Sequence, residues 1–226
     1  MAAAVDNPLP IVVLISGRGS NLQSIIDSVA AGELPVEIRA VISNRPDVPG
    51  LQHASQAGIP TRVIDNSHYP DRAAFDAALQ AAIDDYRPEL VVLAGFMRIL
   101  TSAFVRHYRG RMLNIHPSLL PEFPGLNTHQ RVLDAGREET GATIHFVTEE
   151  IDGGPPILQA RVPVLAGDDA DSLAARVLEQ EHRMYPVVIR WYAEGRVQLD
   201  TEGRVRLDDV PLERPRLQDS GAGAPC

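Results

Sequence analysis

Short unbroken apolar runs alternate along this chain with segments whose apolar positions recur every three or four residues. That alternation is the pattern of a sheet whose parallel strands are joined by covering helices. Ile11 to Ile15 (IVVLI) reads as a first, central strand, and its lack of polar positions predicts burial on both faces. Asn21 to Ala31 follows as a helix, with Leu22, Ile25, Ile26 and Val29 along one side. Further strands are predicted over 38–42, 61–64, 90–93, 112–115, 143–147 and 157–164. Helices are predicted over 50–57, 72–86, 101–108 and 127–135, and a long one begins at Asp171. Val197 to Leu199 and Val205 to Leu207, parted by Glu202-Gly203, read as a terminal hairpin. One domain is expected over 11–210, preceded by a ten-residue extension. Beyond Pro211 the Pro, Arg, Gly, Ala and Asp residues offer little to bury, so 211–226 reads as a disordered tail.

Composition narrows the classes without choosing among them. The 226 residues are 44% hydrophobic and 23% charged, as in an ordinary globular domain. A net charge of −9 argues against a broad nucleic-acid surface, so no nucleic-acid partner is expected. It leaves room for an anionic small molecule held by local N–H groups. Cys226 is the only cysteine, which rules out an intrachain disulfide and a cysteine metal cluster. His53, His68, His107, His129 and His182 show no metal-ligand spacing, and no metal is called for. No apolar run approaches the ~20 residues of a membrane span, and residues 1–10 lack the look of a secretion signal. A cytoplasmic setting without a membrane partner is expected, and a homodimer is left open.

Candidate chemistry concentrates in Asn114-Ile115-His116-Pro117 and in Asp152-Gly153-Gly154. Asn114 and His116, two apart on a strand, project to the same face. Pro117 ends the ladder, because it lacks an N–H and biases His116 towards an extended conformation. A polar pair at a strand end is where open α/β sheets keep their ligands; a buried histidine satisfied by a neighbouring amide would leave the same trace. Gly17-Arg18-Gly19-Ser20-Asn21 joins the first strand to the first helix. It reads either as an anion-binding helix start or as a plain tight turn. It lacks the third glycine of the dinucleotide fingerprint and the lysine of a P-loop. Met97 to Leu100 reads as a strand-to-helix loop carrying an outward arginine. Thr148 to Gly154 reads as a solvated acidic turn, or as a loop whose paired glycines close around a ligand. Thr143 and His145 share one strand face and read as supports for the site or as satisfied core residues.

The segment Asn114 to Gly125 (NIHPSLLPEFPG), taken with Gly17 to Asn21, resembles the folate-dependent formyltransferases. The resemblance runs from about Ile11 to Gly195. It implies an α/β formyltransferase fold, a Rossmann-like and mostly parallel sheet with helices on both faces. It also implies transfer of a formyl group from 10-formyltetrahydrofolate, as cosubstrate, to the amine of N1-(5-phosphoribosyl)glycinamide in de novo purine (IMP) biosynthesis. Asn114, His116 and Asp152 are then the catalytic residues. Asn114 and a protonated His116 would donate to the oxyanion, each such contribution being on the order of 3 kcal/mol. Asp152 would stabilise the imidazolium and help move a proton. The resemblance assigns folate binding to Arg72, to Met97, Arg98, Ile99 and Leu100, to Asn114, and to Thr148, Glu149, Glu150, Ile151 and Asp152. Gly19, Ser20 and Asn21 would hold the ribose phosphate and Glu181 the glycinamide, while Arg18 receives no role.

Two relatives share this chemistry. Methionyl-tRNA formyltransferase would call for a second, basic domain after the catalytic one, and formyltetrahydrofolate hydrolase for a regulatory domain before the first strand; neither is expected here. A non-catalytic nucleotide-binding module would explain the glycine loop but leave Asn114, His116 and Asp152 without a task.

Overall fold

The computed structural model describes residues 7–218. Strand β1 (Leu9–Ile15), helix α1 (Ser20–Ala30), β2 (Val36–Ser43), α2 (Pro49–Gln56) and β3 (Thr61–Val63) make the first half of the sheet. A 3-10 turn at Asn66–His68 and helix α3 (Arg72–Asp84) lead to β4 (Leu90–Leu93), α4 (Ser102–His107) and β5 (Met112–His116). Then come α5 (Thr128–Asp134), β6 (Glu139–Phe146), β7 (Pro156–Pro163) and the long α6 (Ala170–Ala193). β8 (Val197–Leu199), β9 (Val205–Leu207), β10 (Val210–Pro211) and β11 (Arg216–Leu217) follow.

Eight strands form one sheet in the order β11-β7-β6-β5-β4-β1-β2-β3. All pairings from β5 through β3 are parallel, whereas β6 runs antiparallel to both β5 and β7. Alternation along the inner strands feeds two cores, one on each face. Ile11, Val13 and Ile15 pack with Leu22, Ile25, Val177 and Ile189 of α1 and α6. Val12 and Leu14 pack with Phe75, Leu79 and Phe104 of α3 and α4. Tyr185 of α6 ties its helix to the sheet, its hydroxyl lying 2.9 Å from the Leu93 carbonyl and 3.1 Å from that of Leu113. A capping box between Asp169 and Ser172 starts α6. No described helix is long and apolar enough to cross a membrane.

Most boundaries shift from the sequence reading by a residue or two, and three differences matter more. β6 begins at Glu139 rather than Thr143. Gly141 makes this possible, since a Cβ there would meet the Ala160 carbonyl and lie 2.7 Å from Leu119 Cδ2. β1 reaches back to Leu9, into the expected extension. The expected tail is corrected over 211–218. β10 pairs with β9, and Arg216 and Leu217 add a parallel edge to β7, opposite Leu158 and Gln159. Backbone hydrogen bonds to a free sheet edge need no apolar side chains, and composition is silent about them. Residues 219–226 of the expected tail lie outside the described residues.

Candidate active site

β5 delivers Asn114 and His116 to the carboxyl end of the sheet, and the antiparallel neighbour β6 supplies their supports. The register sets Asn114 opposite His145 and His116 opposite Thr143. His145 is buried, and its Nδ1 lies 2.9 Å from the Phe146 carbonyl. A carbonyl only accepts, so Nδ1 carries the hydrogen and Nε2 is bare. The Asn114 amide Nδ2 accordingly donates to that Nε2 at 3.1 Å, which fixes the orientation of the amide. Burial lowers the pKa of His145 and keeps it neutral in this role. Thr143 works on the following loop instead. Its hydroxyl donates to the Ser118 carbonyl at 2.6 Å and accepts from Leu120 N–H at 3.0 Å and from Gln159 Nε2 at 3.0 Å.

Asp152 arrives from the β6–β7 loop in a left-handed backbone conformation (φ 51°), which aspartate tolerates better than most residues. The paired glycines behind it let the loop fold back. A Cβ on Gly154 would strike the Phe146 carbonyl and approach His145 Nδ1 to 3.1 Å. Asp152 Oδ2 accepts from Gly125 N–H at 2.8 Å and lies 3.3 Å from His116 Nδ1. Its Oδ1 lies 4.0 Å from His145 Nε2. The His116 and Asp152 side chains are only 7% and 12% exposed, so little water screens the pair. His116 Nε2 lies 2.9 Å from the Phe123 carbonyl. Both ring nitrogens thus face acceptors, an arrangement that suits the doubly protonated ring.

These three residues line a cavity of about 1000 Å³ that also takes in Arg72 and the Met97–Ile99 loop. Met97, Ile99, Leu126 and Ile151 are exposed apolar residues on its wall. A side cavity of about 110 Å³ opens beside Asn114, between the Arg98–Leu100 and Thr148–Asp152 loops, with Leu93, Phe96, Val105 and Val147 on its walls. Glu149 is paired with Arg106 at 3.0 Å. The residues expected to hold folate therefore gather around two adjacent spaces that share Asn114, Ile151 and Asp152.

Gly19, Ser20, Asn21 and Glu181 lie outside the lining of both cavities. α1 starts at Ser20 without a side-chain cap, so its first N–H groups remain open for an anion. Gly19 is left-handed (φ 76°) and backs onto Gly50, a Cβ on it falling 2.5 Å from Gly50 Cα. The buried Glu181 accepts from Asn21 Nδ2 at 2.7 Å, and burial raises its pKa. Asn21 Oδ1 is buried without a hydrogen-bond partner among the described residues.

Sequence reasoning set His129 aside, yet it lines the main cavity from the first turn of α5. Burial and the nearby His116 lower its pKa, and its Nδ1 has no hydrogen-bond partner among the described residues. Its place just after the proline-rich loop was the available signal. Gly50, which supports the glycine turn from α2, left no signal in sequence at all.

A family described as formyl transferase matches residues 9–189. The chain is 57% identical to phosphoribosylglycinamide formyltransferase of Escherichia coli over 189 residues, which are 84% of this chain and 89% of that protein. It is 50% identical over 195 residues to the trifunctional purine biosynthetic protein adenosine-3 of Bos taurus, covering 86% of this chain and 19% of the longer protein. Among solved structures, the phosphoribosylglycinamide formyltransferase of Coxiella burnetii superposes with a TM-score of 0.89 at 52% identity, over 93% of this chain and 99% of that one.

Proposed function

The chain belongs to the formyl transferase family, and from that premise we propose that it moves the formyl group of 10-formyltetrahydrofolate onto the amine of N1-(5-phosphoribosyl)glycinamide, a step of purine biosynthesis. The observation that carries this reading is the gathering of an amide, an imidazole and a carboxylate on the wall of one cavity, with a small slot beside them. The slot has Leu93, Phe96, Val105 and Val147 on its walls, with Arg98, Thr148 and Glu149 among the polar residues around it. Such a lining fits a flat heterocycle edged with donors and acceptors. The open N–H groups at Ser20 and Asn21 suit the ribose phosphate, and the Asn21–Glu181 pair suits the N–H groups of the glycinamide.

The amine arrives neutral, and its nitrogen forms a bond to the formyl carbon. The carbonyl electron pair moves onto the formyl oxygen. Asn114 meets that charge with the amide hydrogen that His145 leaves unused. Each oriented donor of this kind contributes on the order of 3 kcal/mol. His116 Nε2–H already serves the Phe123 carbonyl, so it reaches the formyl oxygen by sharing its hydrogen or by releasing that contact. Asp152 opposes the charge of the ring at 3.3 Å. Asp152 also accepts the proton that the attacking nitrogen must lose, directly or through water, and the proton passes to the folate nitrogen as its bond to the formyl carbon breaks. The products are the N-formyl compound and tetrahydrofolate. The setting proposed is cytoplasmic.

A coupled assay that offers phosphoribosylglycinamide, methionyl-tRNA and water as competing acceptors tests the reading. Formyl transfer to phosphoribosylglycinamide should exceed the other two by orders of magnitude. Preferential hydrolysis, or preference for the tRNA, would overturn it.

A further inference from the structure

Four loops leave the carboxyl ends of the adjacent strands β4, β1, β2 and β3, and one chain of side-chain hydrogen bonds crosses them all. Ser16, directly after β1, accepts the Met97 N–H on its hydroxyl at 2.7 Å and donates to Asn44 Oδ1 at 2.5 Å. Asn44, after β2, donates through Nδ2 to Asn66 Oδ1 at 2.8 Å. Ser16 N–H also donates to the Gly95 carbonyl at 3.1 Å. Ser16 and Asn44 are both buried. The hydroxyl has one hydrogen and spends it on Asn44, so only its lone pairs can face Met97. A flipped Asn44 amide would leave that hydrogen without an acceptor, so the whole chain has one consistent orientation. At its other end the 97–100 loop is anchored by Thr101 N–H on the buried Asp76 carboxylate, at 2.6 Å.

Ser16 immediately precedes the glycine turn, and Met97 opens the loop to which the resemblance assigns folate binding. We infer that Ser16 is a positioning residue: its hydroxyl, aligned by Asn44 and Asn66, holds the Met97 backbone so that the 97–100 loop keeps its folate-gripping shape. This rests on the proposed function.

Ser16→Ala should raise the KM for 10-formyltetrahydrofolate roughly tenfold, about 1.4 kcal/mol, and leave the KM for phosphoribosylglycinamide within about threefold. Ser16→Thr keeps the hydroxyl and should stay near wild type. Amide exchange followed by NMR should quicken at Met97 in the alanine variant and stay slow at Val92 and Leu93. An unchanged folate KM would overturn the inference. Both KM values rising together, with exchange opening across β1 and β4, would show a merely structural role and overturn it as well. If the wild-type chain transferred no formyl group, the proposed function would fail, while Met97 exchange and calorimetric titration with a folate analogue would still decide the role of Ser16.

Discussion

Asp152→Asn removes one charge while keeping nearly every atom in place. The asparagine carbonyl can take the position of Oδ2, where it still accepts from Gly125 N–H, now 2.8 Å away, and faces His116 Nδ1, now 3.3 Å away. Its NH2 group then lies where Oδ1 stood, 4.0 Å from a His145 nitrogen that Asn114 already serves. Loop order and folate affinity should therefore change little. What disappears is the negative charge 3.3 Å from the His116 ring, in an ion pair whose side chains are 7% and 12% exposed. Losing an opposite charge at this distance between largely buried groups costs about 1.5–3 kcal/mol. Steady-state turnover should fall roughly 10- to 150-fold, and further if Asp152 also carries the proton. The assay is initial-rate kinetics with both substrates saturating, alongside calorimetry with a folate analogue. Turnover within about twofold of wild type would refute the electrostatic reasoning; a large loss of folate affinity would make Asp152 a loop-ordering residue instead.

Three further substitutions test separate parts of the site. Gly19→Val puts a Cβ 2.5 Å from Gly50 Cα at φ 76°; calorimetry should show affinity for phosphoribosylglycinamide falling more than about tenfold with folate-analogue binding retained. Thr143→Val keeps shape but leaves Leu120 N–H and the Ser118 carbonyl without their partner, so urea melts should show a loss of about 2–4 kcal/mol. Glu181→Gln removes a carboxyl whose pKa burial raises above 4.5. A raised folded-state value means that the stability contributed by the protonated form is present below 4.5 and lost as pH rises through the folded-state value. Melts across pH should thus show the glutamine variant gaining on wild type as pH increases, and a constant difference would contradict the burial argument.

The α/β pattern was legible because β1 and β4 are apolar throughout and the helices α1, α3 and α6 each carry one apolar side. Asn114 and His116 were legible as a pair because alternation gives them one face and Pro117 ends their strand. Their supports were half legible. Thr143 and His145 share a face in any strand, but only the antiparallel pairing of β5 with β6 sets them opposite His116 and Asn114. Strand direction is decided by how the loop after Pro117 returns through α5, which is a matter of tertiary packing. Asp152 drew notice through its glycines, yet the reason for Gly154, close approach to the Phe146 carbonyl, exists only in three dimensions. Gly50 and the Ser16–Asn44–Asn66 chain stayed hidden for the same cause: they join segments distant in sequence. β11 was missed because a two-residue edge strand is held by backbone groups that every composition provides.

The most direct test of the site is the single-turnover rate of His116→Ala, measured with its melting temperature and its affinity for a folate analogue. Catalysis through Asn114, His116 and Asp152 requires the rate to fall at least roughly 100-fold, with folate affinity kept within a few-fold and the melting temperature little changed. A rate close to wild type would contradict the central claim, and a collapsed melting temperature would reassign His116 to the packing of the Phe123 loop.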